Sequence, residues 1–349
     1  METNMLLCHD ILSETVKPKL SFSKRLNFEK WKKQVKEKFV ELIGLNEIQK
    51  NVCEQNIEIV AQNKKDGYVE IEFRFESETC CAIPCYLLIP DMGDKKYPVV
   101  ITLHGHNTGV HNTVGIKRNY VDNREEHSDY AVQAVKRGYA ALAIELRGMG
   151  ETAAKDADFR WVKLGLFQES SNCYYASVCA ALLGRTLVGE RCFDVVRAID
   201  ALSNFSNVDV DKIVAIGDEV GGTTAYYAAA IDDRIKGVIC ARGFCSYVDS
   251  LFKFYHCSCN YIPKVYENFD LQDLSCLIAP RPLSIVAGKR YDRYPFADVE
   301  RAFSTVVNIY EKAGAQDQCE LCASDMRFWD EKTVFGQVEK QFTMIDREN

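Results

Sequence analysis

The chain has 349 residues, 47% of them hydrophobic and 27% charged, a balance that excludes wholesale disorder, a collagen-like repeat and a pure coiled coil. Its 43 basic and 50 acidic side chains give a formal charge of −7, which disfavours nucleic acid as the main partner. No apolar run reaches the roughly 18–20 residues that cross a bilayer, and residues 1–19 lack the features of a secretion signal, so a cytoplasmic protein without membrane association is expected. The fifteen cysteines cannot all pair internally, and a chain of this length buries a core without crosslinks; most are expected to be reduced, small apolar side chains.

Residues 1–25 are polar and weakly patterned. Phe28, Trp31, Val35, Phe39 and Leu42 then recur at helical spacing between lysines, which predicts an amphipathic helix ending at Gly44 with a solvated basic face. From Ile57 the period changes to two. Val69, Ile71, Phe73 and Phe75 alternate with charges, and Cys81–Ile89 is a further apolar stretch, which predicts antiparallel strands. From Tyr97 onward strands and helices alternate. Continuous apolar strands are expected at 98–103, 138–146, 212–216, 235–240, 282–287 and 319–323. Helices are expected at 130–137, over most of 176–204, through Ala230, at 296–314 and at the C-terminus. This is the pattern of an α/β fold with a doubly wound, mostly parallel sheet. The expected division is an N-terminal helical extension over 1–54 and an α/β domain over 55–349.

In such sheets chemistry sits at the C-terminal ends of the strands. One strand-to-helix junction reads Gly217-Asp218-Glu219-Val220-Gly221-Gly222, with the glycine spacing of a nucleophile elbow, G-x-S-x-G. With this junction the chain resembles the α/β-hydrolase superfamily, and within it the dienelactone hydrolase-like and acetyl xylan esterase-like (cephalosporin C deacetylase-like) branch. The resemblance spans about residues 25–345. It rests on residues 31–45, 97–109 with His104-Gly105-His106, 138–151, 183–201, 256–263 and Ile278-Ala-Pro-Arg-Pro-Leu283. It implies an α/β-hydrolase fold and, by ancestry, acyl or acetyl ester hydrolysis.

The chain departs from that family at the catalytic positions. Glu219 stands where the family has serine. Tyr291 stands where the acid follows the seventh strand, with Asp292 one residue later. The segment Asp325-Met326-Arg327-Phe328, where the family carries histidine, has none, and no histidine follows His256. Acyl-enzyme chemistry needs a nucleophile, a base and a group orienting that base, and none is at its usual place. The expected reading is an atypical enzyme on this scaffold, acting on a small organic substrate through Glu219 as acid/base or electrostatic group. An inactive pseudo-hydrolase that binds a ligand or partner is the alternative, and residual ester hydrolysis a third.

Catalytic candidates are Glu219, Tyr291 and Asp292. His104, Gly105, His106 and Val220 are candidates for the oxyanion pocket. No cofactor and no metal is expected. A 2-His-1-carboxylate set from His104, His106 and Glu219 is geometrically conceivable, but the family's own His-Gly-His accounts for these histidines. Cys257-x-Cys259 has no second cysteine pair at metal spacing and reads as packing. Arg147 and Glu151 read as organisers of their loop. A small-molecule substrate or ligand is the expected partner, and a homo-oligomer is compatible with the sequence.

Overall fold

The computed structural model describes residues 6–93, 95–106, 109–117, 127–153, 170–325 and 329–348. Nine strands form one sheet in the order β1-β2-β3-β5-β4-β6-β7-β8-β9. β1 (Ile57–Lys65), β2 (Tyr68–Glu78) and β3 (Cys81–Pro90) form an antiparallel meander, and β3 joins β5 (Ala140–Ile144) antiparallel. β5, β4 (Tyr97–Leu103), β6 (Val208–Asp218), β7 (Ile235–Ala241), β8 (Leu283–Gly288) and β9 (Cys319–Ser324) are parallel to one another. The two halves follow from the sequence. β2 alternates in polarity, as an antiparallel strand can, whereas the continuously apolar β3, β4 and β5 must be covered on both faces.

The alternation of side chains across the sheet separates two cores. Val99, Ile101 and Leu103 of β4 and Leu142 and Ile144 of β5 face one core. Val100, Ala141 and Ala143 face the other. The first core is covered by α2 (Phe28–Leu42), α6 (Leu187–Ala201), α7 (Val220–Ile231) and α9 (Phe296–Lys312), through side chains such as Phe39, Val195, Tyr226 and Ile309. The second is covered by α4 (Tyr130–Lys136) and α10 (Glu331–Glu348), through Tyr130, Val135, Phe335 and Val338. Trp31, Val35 and Phe39 of α2 are buried in the same core as the sheet, so the N-terminal helical segment packs directly on the α/β layers. Short helices α3 (Leu45–Gln49) and α8 (Val265–Asn268) and helix α5 (Ser170–Leu182) complete the connections.

Two local readings change. Residues Leu6–Thr15, in the weakly patterned N-terminal stretch, form helix α1. Its apolar residues Leu7, Ile11 and Leu12 lie at helical spacing, but they remain exposed and the run is too short to stand out from a polar tail. The helical stretch expected over 176–204 is two helices, α5 and α6. Gly184 takes a left-handed φ of 70° between them, and the Thr186 side chain caps α6 by accepting the Gly189 amide at 2.9 Å.

Candidate functional site

The site is built where β6 ends and α7 begins. Glu219 is the residue between them, with φ 50° and ψ −117°, a backbone that non-glycine residues rarely adopt. Such a turn needs small neighbours. A Cβ on Gly217 would lie 2.3 Å from the Gly221 carbonyl carbon, and one on Gly221 would lie 2.2 Å from the Leu103 carbonyl oxygen. The glycines let β6 turn sharply into α7, and the turn lifts the Glu219 side chain above the edge of the sheet at the N-terminus of a 12-residue helix. The Glu219 amide donates to Ala241 O of β7 at 2.9 Å, and its carbonyl accepts the Thr223 amide at 3.0 Å, so the strained residue is held on both sides.

Around the carboxylate stand groups from three segments. Tyr291, in the loop after β8, donates its hydroxyl to Glu219 Oε1 at 2.6 Å. His106, in the loop after β4, brings Nδ1 to 3.7 Å from Glu219 Oε2. Gly105 passes close by, and a Cβ added to it would lie 3.5 Å from the same oxygen. Arg242, immediately after β7, lies over the Tyr291 ring at 5.1 Å and forms a two-pronged pair with the buried Asp218, its Nε 2.8 Å from Oδ1 and its Nη2 on Oδ2. Burial alone would push the Glu219 carboxyl up. The imidazole of His106, the charge of Arg242 and the phenol of Tyr291 outweigh it and hold the group down at about 2. The Tyr291 phenol moves the other way, raised by burial and by the carboxylate it serves.

The sequence candidates separate into those that meet here and those that do not. Glu219, Tyr291, Gly105 and His106 are brought together, and Val220 opens α7 with its side chain buried. Asp292 is exposed, one residue beyond Tyr291, and its carboxylate makes no hydrogen bond or ion pair among the described residues. His104 is fully buried and turned away. Its Nδ1 lies 2.9 Å from Gly105 O and its Nε2 lies 2.9 Å from Glu145 Oε1. Glu145 in turn accepts the Val110 and Glu151 amides at 3.2 Å each. His104 is thus spent on holding its loop, which removes it from a 2-His-1-carboxylate arrangement. Met326 lies outside the described residues. Arg147 and Glu151 organise their loop. Arg147 bridges Glu78 and Asp194 at 2.7 and 2.6 Å, and Glu151 meets Arg74 at 3.1 Å.

Sequence reasoning missed Arg242, whose only local mark is a left-handed φ of 48° after a strand, and Arg191, whose role depends on partners far along the chain. It also read Cys257 and Cys259 as packing. In the fold these two thiols converge with Cys173 of α5 and with His106, the four ligand atoms lying within 4.8 Å of one another. Nothing local to the C-x-C pair signals this, because the other two members come from 151 and 84 residues upstream of Cys257 (257 − 106 and 257 − 173). His106 Nε2 lies 3.2 Å from Cys259 Sγ. Hydrogen bonding from Cys257 and Cys259 pulls the Cys173 thiol down, and burial pushes Cys259 up. His256, beside Tyr294, is kept neutral by burial and by Arg293, which together lower it to about 4. A cavity of about 290 Å³ between α1 and the 247–267 segment is lined by Leu12, Val16, Tyr247 and Tyr266. It includes neither Glu219, Tyr291 nor His106 and is a separate feature.

The model of the Abhydrolase family matches residues 4–347. A Bacillus subtilis (strain 168) protein named "Putative hydrolase YtaP" is 27% identical over 246 residues, covering 67% of this chain and 74% of its own. Among solved structures, a "putative acetyl xylan esterase" from Bacteroides fragilis NCTC 9343 superposes with a TM-score of 0.75 at 16% identity, covering 97% of this chain and 89% of that one. A glucuronoyl esterase from Solibacter usitatus gives 0.65 at 13% identity, covering 95% and 99%.

Proposed function

Because the chain belongs to the Abhydrolase family, with the α/β-hydrolase fold, we propose that it is an atypical enzyme of that fold. It acts on a small polar organic substrate with the Glu219 carboxylate in the place of a nucleophilic hydroxyl. The observation that supports this reading is the hydrogen bond from Tyr291 to Glu219 Oε1 at 2.6 Å, made by a carboxylate on a strained elbow. A backbone in a sparsely populated region costs about 1–3 kcal/mol and persists where the surroundings over-determine it. Here the surroundings also aim a phenol and an imidazole at the side chain.

In this arrangement the carboxylate works by charge and by accepting hydrogen bonds. One oxygen accepts the phenol. The other, toward His106 and Gly105, is the one that can receive an N–H or O–H of a substrate or stabilise a developing positive charge. A serine-type acyl-enzyme is not part of this reading, since no hydroxyl stands on the elbow. The names of the structural neighbours and the family's ancestry support polar, oxygen-rich small molecules as the first substrates to try.

The experiment compares the parent with Glu219→Gln, which keeps shape and polarity and removes charge. Acetate, methyl and lactone esters and small amines are offered to both, read by turnover and by thermal shift. The expected result is at least one compound that the parent binds or converts and the Gln variant handles about 10²-fold or more worse, with its fold retained. A serine-directed phosphonate is expected to leave the protein unlabelled. Equal handling of every active compound by the Gln variant, or stoichiometric phosphonate labelling, would overturn the proposal. The first outcome would leave Glu219 as the remnant of a lost site.

A further inference from the structure

We propose that His106, Cys173, Cys257 and Cys259 form a binding site for one thiophilic divalent cation of the zinc class, held through His106 Nε2 and three Sγ atoms. The donor set is that of a closed Cys₃His site. Tetrahedral geometry with Zn–S bonds of about 2.3 Å separates sulfurs by about 3.8 Å, and the four donor atoms here lie within 4.8 Å of one another, so small rotations of the side chains close them on a single ion. The site also has a route in. Cys173 and Cys259 are 2% exposed, but Cys257 is half-buried and the His106 side chain is 27% exposed.

Two observations outside the donor set point the same way. The first is Arg191 of α6, 1% exposed and permanently charged. Its guanidinium donates to the Arg147 carbonyl at 3.0 and 2.6 Å and to Cys173 Sγ at 3.3 Å, its Nη1 has no partner, and no carboxylate pairs with it among the described residues. A buried cation without a counter-charge is costly. Three thiolates around a divalent ion carry a net charge of −1, which this guanidinium balances. On binding, each thiol that is still protonated gives its proton to solvent and its sulfur lone pair to the metal, with no change in oxidation state. The second is the way His106 is held. Its Nε2 faces the sulfurs while its Nδ1 faces Glu219 Oε2 at 3.7 Å. A carboxylate behind a ligating imidazole fixes the ring and raises its basicity. Glu219 is therefore a positioning residue for this site, in addition to its proposed contact with substrate.

Bound there, the ion would tie the loop after β4, the first turn of α5 and the 257–260 segment together beside the elbow. It would brace the imidazole next to Glu219 without itself needing an open coordination position.

The test needs no substrate, so it stands or falls apart from the reading of Glu219 in turnover. The full chain, purified in reducing buffer, is stripped with a chelator and titrated with Co²⁺ alone, then with Zn²⁺ in competition. One equivalent of cobalt is expected, with the intense visible bands of a tetrahedral ion and near-ultraviolet thiolate charge transfer, both displaced by zinc. Cys257→Ser, at the half-buried ligand, is expected to weaken zinc by roughly 100-fold or more, Glu219→Gln by about 10–100-fold, and Cys8→Ser, on exposed α1, not at all. The parent spectrum by itself reports the thiolate ligands should a cysteine variant fail to fold. Absence of stoichiometric binding, a weak octahedral cobalt spectrum, Cys257→Ser binding as tightly as the parent, or a disulfide among the three cysteines in the reducing preparation would each overturn the proposal.

Discussion

Glu219 combines two costs at one residue, a left-handed backbone and a carboxylate largely withdrawn from water. Both are met by neighbours whose positions depend on having no side chain in the way. Gly221 is the sharpest case, because the atom a methyl group would strike is the Leu103 carbonyl oxygen, part of the backbone of β4. A backbone atom in a central strand cannot move aside as a flexible side chain can. Gly221→Ala is therefore expected to cost about 3 kcal/mol or more, by forcing α7 away from β4, and urea denaturation followed by far-ultraviolet circular dichroism would measure it. A variant as stable as the parent would mean the elbow is looser than its packing implies. The glycine pattern around Glu219 was legible in the sequence because it is local. Tyr291 was legible through its place in a short motif. Arg242 and Cys173 were not, since each acquires its role from residues distant in the chain.

At the level of elements, the amphipathic helix α2 and its end before Gly44 follow from period and punctuation. Its N-terminus is closed by the Asn27 side chain, which accepts the Lys30 amide at 3.0 Å. What the periodicity does not show is how α2 is tied to the segment it packs on. The chain just before it docks through Phe22 N–H to Asp273 Oδ1 at 2.9 Å, and Asp273 Oδ2 also accepts the Asp270 amide in a reciprocal cap. Burial pushes the Asp273 carboxyl up to about 7 in spite of these two donors. The folded protein therefore holds a proton there that an unfolded aspartate, near 3.9, releases. This stabilisation is fully present below about pH 4 and is lost as pH rises through about 7, with an upper bound of about 4 kcal/mol for a shift of some three units. The parent is expected to lose stability relative to Asp273→Asn between pH 5 and pH 8 in paired urea titrations. Parallel curves for the two proteins would show that Asp273 titrates as an ordinary carboxylate.

At the scale of the molecule, the antiparallel and parallel halves of the sheet are joined by charge as well as by β3. Arg147, at the end of β5, meets Glu78 of β2 and Asp194 of α6 at 2.7 and 2.6 Å, and Arg185 meets Glu78 and Glu190 at 2.6 and 2.9 Å. These groups are 2–13% exposed, so the network is screened little by solvent. Breaking a buried pair costs more than making it gains, because the remaining charge keeps no partner. Arg147→Met strands Asp194 and leaves Glu78 to Arg185 alone, and is expected to destabilise by about 3–5 kcal/mol, measured by chemical denaturation. The Arg147 carbonyl that holds Arg191 is retained in that variant, so metal content should survive the loss of stability. A change under about 1 kcal/mol would place these charges in contact with water.

Fold class, the order of the strands along the chain, the elbow and the glutamate at its centre were determined by the sequence itself. Each is written in local period, in glycine spacing or in short motifs, and local rules read them without knowing where the rest of the chain goes. The opposite fates of two neighbouring histidines were decided only by tertiary structure. His104 turns to Glu145 and His106 to Glu219 and the thiols, although they are two residues apart in one motif. The same holds for the meeting of Cys173 with Cys257 and Cys259 beside Arg191, which has no carboxylate partner among the described residues. A side chain's chemistry depends on the charge and donors within a few ångströms of it. In a sheet whose neighbours β4, β6 and β7 bring residues 106, 219 and 242 together, those ångströms are set by the order of the strands and not by the order of the residues.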